Sequence, residues 1–503
     1  MNPAQAWSVA LIGLQGVLVE VEVHVGSGLP KTVIVGLPDS ALMEAKDRCR
    51  AAMSSCRFGW PSDPVTINLS PAALPKAGSH YDLSIAAAMG AVKKLCSREA
   101  LADCVIFGEL SLDGRVRPIR GLLPALLCVQ QHGFAKVIVP TAQLREAALV
   151  KGLSVTGVTD LSELFDVLRG GAGGTPPAVI ETQTDGGRTL DLADVVGQVE
   201  AKWALEVAAA GRHHLFLHGP PGVGKTLLAE RLPGVLPDLT ESEALEVSAI
   251  HSLVGKQVDS LITRPPYANP HHSATIPALV GGGSRIATPG AISMAHRGVL
   301  FLDEAPEFAP KALEALRVPL ESGRAVIARA AATTVFPASF QLVLAANPCP
   351  CGLAATPGAA CSCTSQSVRR YAERISGPIL DRVDMHQQLR PLKAFMREKA
   401  NTQESSVAVA ERVLQARNRQ VDRLREFGFR TNAEVAGALI RKKLPLPEGI
   451  EKLENAVRMG RLSARGVDKT LRISWTIADL AQAPKPTAEH LDIALAMRSG
   501  QER

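Results

Sequence analysis

The residues with the clearest chemistry are Gly219-Pro220-Pro221-Gly222-Val223-Gly224-Lys225-Thr226. This is the G-x-x-x-x-G-K-[ST] spacing of a phosphate-binding loop, whose glycines let backbone N–H groups turn inward on a polyphosphate. Lys225 is placed to reach β- and γ-phosphates, and Thr226 to ligate Mg²⁺. Further on, GVLFLDEA (298–305) ends an apolar run in Asp303-Glu304. One carboxylate there can hold Mg²⁺ through water, and its neighbour can polarise an attacking water. The two sets together imply ATP and Mg²⁺ as ligands and phosphoryl transfer to water as the reaction.

The local sequence supplies elements to hold these groups. Leu215-Phe216-Leu217 reads as a short buried strand, and Leu227-Leu228-Ala229-Glu230 opens a helix behind the loop, whose N-terminus favours an anion. The run before Asp303 reads as a buried parallel strand. A third apolar run, FQLVLAANP (340–348), ends in Asn347, which is either a functional amide or a turn residue before Pro348. In ISGPILDRVDMH (375–386), Arg382 offers a planar guanidinium that can neutralise a transferring phosphoryl group from a neighbouring subunit. Arg374 is the second choice, and a local pair with Asp381 or Asp384 is the structural alternative. In LSARGVDKTLRISWTIADLA (462–481), Ser463 is a helix N-cap and Val467, Leu471, Ile473, Ile477 and Leu480 mark a buried face.

Cys349, Cys351, Cys361 and Cys363 form a C-P-C-G-x9-C-x-C cluster. Four thiolates framed by Pro and Gly suit a structural, tetrahedral Zn²⁺ site near the end of the Asn347 strand; a reduced or redox-active loop is the alternative. The other five cysteines are scattered and read as reduced core thiols.

Composition sets the broader limits. A hydrophobic share of 46% with 21% charged residues describes a globular chain, and its 503 residues suffice for several domains. No run of about 18 apolar residues exists, so no membrane helix is expected. The N-terminus lacks a basic, cleavable leader, and a cytoplasmic location is expected. Aromatics, at 4%, are too few for a base-stacking platform. The net charge of +6 gathers at the C-terminal end, where residues 396–503 hold 20 basic and 14 acidic side chains. Such an end suits a nucleic-acid partner, or simply reflects solvated helix faces.

Along the chain, Val17, Val19, Val21 and Val23 alternate as a strand within residues 8–24, and TVIV, PVTINL and KVIV read as further strands. Asp113-Gly114 marks a hairpin turn. The Gly-, Pro- and Thr-rich stretch 170–188 reads as a linker. Residues 404–427 read as a long helix with apolar Ala410, Leu414, Val421, Leu424 and Phe427 and arginines on its other faces. Gly281-Gly282-Gly283 suggests a mobile hairpin tip. GRAVIARAAATTVFPA (323–338) suggests a second hairpin around Arg329-Ala330-Ala331.

PKAGSHYDLSIAAA and FGELSLDGRVRPIRG resemble the proteolytic domain of Lon proteases, which uses a Ser–Lys dyad. The nucleophile position falls on His80 and the lysine position on Leu123, so the resemblance implies the fold without the chemistry. The order GPPGVGKT, PHHSATIPALVGGG, GVLFLDE, AANPCPCG, SGPILDRVD and SARGVDKTLRISWTIADLA is similar to the YifB/ComM family of magnesium-chelatase-like AAA+ proteins, nearly end to end. Arg212-His213-His214 and Tyr267-Ala268 depart from that pattern. The resemblance implies an α/β fold of three parts. Residues 1–169 would be a Lon-like (ribosomal S5-like) α/β domain, 170–188 a linker, 189–395 an AAA+ P-loop core and 396–503 a helical lid. It implies Val196 and Gly197 beside the adenine, Asn347 orienting water, Arg382 acting in trans and Arg465 facing the γ-phosphate, with Arg472 as second choice. It further implies a homo-hexameric helicase that drives branch migration on branched or single-stranded DNA during natural transformation, with Arg329 and Arg285 gripping phosphates. A chelatase-type motor subunit or another AAA+ remodeller is the alternative. Neither hairpin carries base-reading chemistry, so binding is expected to be sequence-independent and salt-sensitive.

Overall fold

Alternating apolar residues at the N-terminus build a hairpin. In the computed structural model, which describes residues 3–177, 190–283, 287–329, 333–354, 360–391 and 403–500, strand β1 (Ala4–Ile12) runs antiparallel to β2 (Gln15–Val25), with Ile12 opposite Gln15. The sequence suggests one strand over 8–24. Instead the chain doubles back at Gly13, whose φ of +66° permits the tight turn. With β3 (Thr32–Val35), β4 (Val65–Ser70), β5 (Cys104–Ile106), β6 (Lys136–Pro140) and β7 (Ser154–Val158) these strands form a seven-stranded sheet in the order β3-β4-β2-β1-β5-β6-β7. Helix α1 (Asp82–Val92), rich in alanine and buried nearly all round, contributes to the core on one face. Helix α2 (Leu122–Gln131) contributes to a second core around Val9 and Val105. The Asp113-Gly114 turn joins the short pair Glu109–Leu110 and Val116–Arg117.

The second sheet is wholly parallel. Its strands β8 (Leu215–His218), β9 (Tyr267–Ala268), β10 (Val299–Leu302), β11 (Gln341–Ala346) and β12 (Met385–Gln388) lie in the order β9-β10-β11-β8-β12. β10 and β11 are buried at every position, as parallel strands covered on both faces require. Parallel pairing brings the residues after β8, β10 and β11 to one edge, where ligands bind in such sheets. Helix α3 (Val199–Gly211) packs near the sheet, α4 (Lys225–Arg231) follows the phosphate loop, and α5 (Glu241–Leu253) faces the first domain.

The C-terminal part is helical: α6 (Ser406–Leu424), α7 (Ala464–Leu480) and α8 (Ala488–Ser499). Ser463 caps α7 by accepting from Gly466 N at 3.1 Å. The buried stripe of α6 is Val409, Val413, Ala416, Gln420 and Leu424; of the expected apolar positions Leu424 lies in it, while Ala410, Leu414 and Val421 do not, and Leu414 is exposed. Its arginines explain the shift, because they stitch helices together. Arg412 pairs with Glu206, Arg417 donates to Ala209 O, and Arg423 pairs with buried Asp479 while its guanidinium stacks 4.2 Å from the Trp475 ring. Part of the basic charge of the C-terminal segment is therefore engaged within the molecule.

The two α/β units are packed together. α2 lies against α5; Gly121 N and Leu123 N donate to Ser252 O and Oγ at 3.0 and 3.3 Å, and Ala249 joins the N-terminal core. The expected linker is tethered at its start, where Thr175 pairs with Gly157 of β7. Its remainder from 178 lies outside the described residues, as does the 395/396 boundary.

Candidate nucleotide site

The loop after β8 is held open by its glycines. Gly222 and Gly224 have φ of +76° and +98°, so the requirement there is conformational. Gly219 N donates to Ala346 O at 3.2 Å, tying the loop to the end of β11. Lys225 Nζ, 7% exposed as a residue, donates to Gly219 O (2.7 Å), Pro220 O (2.8 Å) and Asn347 Oδ1 (2.9 Å). Burial pulls its pKa down, opposed by the Asp303 and Glu304 carboxylates. Thr226 Oγ1 donates to Asp303 Oδ2 at 2.8 Å, and Asp303 Oδ1 accepts from Glu304 N at 2.9 Å. Lysine, hydroxyl, carboxylate and amide thus converge on one point, the set needed to hold a Mg²⁺-triphosphate.

Val196 is surface-exposed and Gly197 has φ +66°; the next residue, Gln198, bridges Val223 O (3.1 Å) and Arg390 O (2.8 Å). This segment therefore abuts the back of the phosphate loop. Gln198 has no motif to announce it. His272 is a second residue at the site outside the phosphate-loop and carboxylate motifs. Its Nδ1 lies 3.3 Å from Glu304 Oε2, and Glu304 itself sits in the left-handed region at φ +50°. The Pro270-His271-His272 run, two residues past β9, marks it in the sequence.

Arg382 and Arg465 lie elsewhere. Arg382 precedes β12, whose Met385 is level with Leu215 at the start of β8, so it sits at the sheet edge opposite the phosphate loop. Its guanidinium donates to Pro378 O (2.7 Å) and Glu321 Oε1 (2.6 Å). Arg465, in the first turn of α7, lies 3.4 Å from the same Glu321 and 3.6 Å from Asp381. Both line a cavity of about 500 Å³ with Arg212, Lys469 and Arg472. Arg374 instead pairs with Glu307 at 2.9 Å, just beyond the Asp303-Glu304 strand. Below Arg382, Asp384 is buried with Lys469 at 2.9 Å and accepts from His214 N at 2.8 Å. His213 is sealed against Thr476 of α7 at 2.8 Å. Burial lowers the pKa of both histidines to about 4, so they are neutral. The departures at 212–214 thus tie the strand, the Arg382 segment and the C-terminal helical part together.

The two hairpins lie side by side. Arg324–Ala328 pairs with Thr333–Pro337, and Gly281–Gly282 with Thr288–Pro289. Gly281 and Gly282 are paired strand: a side chain on Gly281 would meet Ile327, and on Gly282 Pro277, while Gly283 borders residues 284–286, which lie outside the described residues. Arg329 Nε donates to Gly283 O at 2.8 Å, linking the hairpins. Arg285, Ala330 and Ala331 lie outside the described residues.

In the N-terminal domain, His80 Nε2 bonds Val9 O at 2.8 Å and Leu123 is buried, so neither supplies a dyad; Ser79 Oγ bonds Glu109. The four thiols at 349–363 lie within 4.8 Å of one another. Among the described residues, no helix is long and apolar enough to cross a membrane.

Residues 191–396 match the family described as magnesium chelatase, subunit ChlI; residues 21–143 match subunit ChlI of Mg-chelatase, and 403–498 the ChlI C-terminal family. The chain is 50% identical over 501 residues, 99% of both chains, to an uncharacterised protein of Mycobacterium tuberculosis H37Rv. It is 39% identical over 508 residues to the competence protein ComM of Haemophilus influenzae, covering 99% of this chain and 98% of ComM. It is 39% identical over 496 residues to the uncharacterised protein YifB of Escherichia coli K12, covering 97% and 96%. A partial likeness, 26% over 177 residues, 32% of this chain and 22% of the other, links it to the Lon protease of Mycolicibacterium smegmatis. On these matches and its parallel-sheet core, the chain belongs to the magnesium-chelatase-like AAA+ family that includes ComM and YifB.

Proposed function

We propose that the protein is an ATP-hydrolysing DNA motor that works as a homo-hexameric ring and promotes branch migration or unwinding when incoming DNA is integrated. Lys225 and Thr226 bind the phosphates and Mg²⁺ with Asp303; Glu304 polarises the attacking water and Asn347 orients it. Val196 and Gly197 flank the adenine. Arg382 and Arg465 act on the γ-phosphate of the neighbouring subunit. The single observation behind this reading is the separation of parts. Lys225, Thr226, Asp303 and Asn347 meet at one sheet edge, while Arg382 and Arg465 share Glu321 at the other. A site completed across an interface needs a closed arrangement of copies. The paired hairpins carrying Arg329 supply a sequence-independent DNA grip, and the likeness to a competence protein supports DNA as partner. The four cysteines suit a structural Zn²⁺ ion.

The test is ATP turnover with and without single-stranded, forked and four-way DNA, together with strand separation on the last two. Stimulation and unwinding, both lost in Lys225→Ala, are expected; no response to any DNA would refute the motor reading. The chelatase descriptions of the matched families favour a second reading, a motor for Mg²⁺ insertion into a porphyrin. DNA-independent turnover with porphyrin metallation in a reconstituted system would favour it.

A further inference from the structure

The cysteine cluster is not a remote staple. Asn347, which receives the Lys225 ammonium at 2.9 Å, stands two residues before Cys349. The next turn carries Gly352 at φ +79°, and a Cβ there would lie 2.6 Å from Pro221 Cδ and 3.0 Å from its Cγ. The turn therefore rests on the second proline of the phosphate loop at a distance only glycine allows. Cys349 is fully buried, and its Sγ lies 3.3 Å from Cys351 Sγ and 3.8 Å from Cys361 Sγ; Cys351 and Cys361 are 3.5 Å apart. A tetrahedral site with Zn–S near 2.3 Å sets its sulfurs about 3.8 Å apart. Ala354 N points at Cys349 Sγ (3.4 Å) and Gly352 N donates to Cys349 O (2.9 Å), the kind of backbone support that orients a thiolate ligand.

We propose that Cys349, Cys351, Cys361 and Cys363 bind one zinc ion whose presence braces the phosphate loop, through Gly352 on Pro221 and Asn347 on Lys225, so that nucleotide affinity depends on zinc. The proposal rests on the reading of the four thiols as a zinc site and adds a consequence for ATP binding. Releasing the turn frees backbone that must be ordered again when the triphosphate binds, which corresponds to about tenfold in affinity.

The experiment uses the full-length protein in three forms: as purified, stripped with a chelator, and Cys361→Ser/Cys363→Ser. Zinc is measured by mass spectrometry, affinity with a fluorescent ATP analogue in constant Mg²⁺, and folding by far-ultraviolet circular dichroism. The expected result is about one zinc per chain as purified. The stripped protein and the variant should bind nucleotide about tenfold more weakly. Affinity should return on adding zinc to the stripped wild type. Stripped-and-refilled wild type decides the matter if the variant does not fold. Zinc bound, with affinity unchanged after stripping, overturns the brace and leaves the metal site standing. Absence of zinc from the purified protein, with no uptake on addition, overturns both.

Discussion

Replacing Arg382 with alanine tests the division of labour across the sheet. The guanidinium is turned toward Glu321 and Pro378 O, and Met385 beyond it is level with the first residue of β8. The four residues of β8 alone put about 13 Å between that level and the phosphate loop. Arg382 therefore lies too far to serve the Lys225 of its own chain, and on the proposed ring reading it would act on a neighbour. An arginine supplied in this way is worth about 10³–10⁵ in turnover, or roughly 4–7 kcal/mol. Arg382→Ala should lose that much ATPase while still binding nucleotide, and Lys225→Ala should lose both. Mixing the two restores function only where an intact phosphate loop meets an intact arginine. Random assembly makes about one interface in four competent, so equal mixing should recover about a quarter of wild-type turnover. The assay is steady-state phosphate release, with DNA present, across the mixing ratio. Wild-type turnover by Arg382→Ala alone, or a mixture no more active than the sum of its parts, would refute the reasoning.

Further outcomes follow from the same geometry. Glu304→Gln should keep nucleotide binding and lose about 10²–10⁴ in hydrolysis, read as a stable ATP complex. Arg329→Ala should weaken DNA binding and reduce the slope of log affinity against log salt by about 1, measured by fluorescence anisotropy. Lys469→Met leaves Asp384 buried without its 2.9 Å partner and should cost about 3–5 kcal/mol in denaturant unfolding. Burial holds His80, His213, His214, His251 and His386 at pKa values of about 4, below the ordinary 6.5. The unfolded chain thus binds more protons in that window. Stability is complete above pH 6.5 and falls as pH drops toward 4, by on the order of 3 kcal/mol for fully buried His213. A melting temperature unchanged between pH 7 and 4.5 would contradict it.

The phosphate loop, its carboxylates and Asn347 are legible in the sequence because each follows a short apolar run, and parallel pairing delivers all such ends to one edge. The hairpin around Arg329 is legible for the same reason, since alternation survives in isolation. Tertiary decisions are not. The β1–β2 turn hides because Gly13-Leu14 carries no polar turn residue, so the apolar run reads on through the reversal. The buried face of α6 is obscured because Gln420 and several arginine stems are buried with partners on other helices, so polarity no longer marks the outside. Gln198 and Glu321 leave no local trace, since their roles exist only through contacts with residues distant in sequence.

The seam between the N-terminal domain and α5 decides how this molecule can be taken apart. Gly13 of the β1–β2 turn presses on Thr334 and Val335 of the Arg329 hairpin, while Leu245 and Ala249 of α5 are sunk in the N-terminal core. Cutting the chain before residue 190 would bare a greasy stripe along α5 and remove the hairpin's backstop in one stroke. A trimmed ATPase would then be sticky and slack, and the N-terminal domain is better regarded as chassis than as cargo.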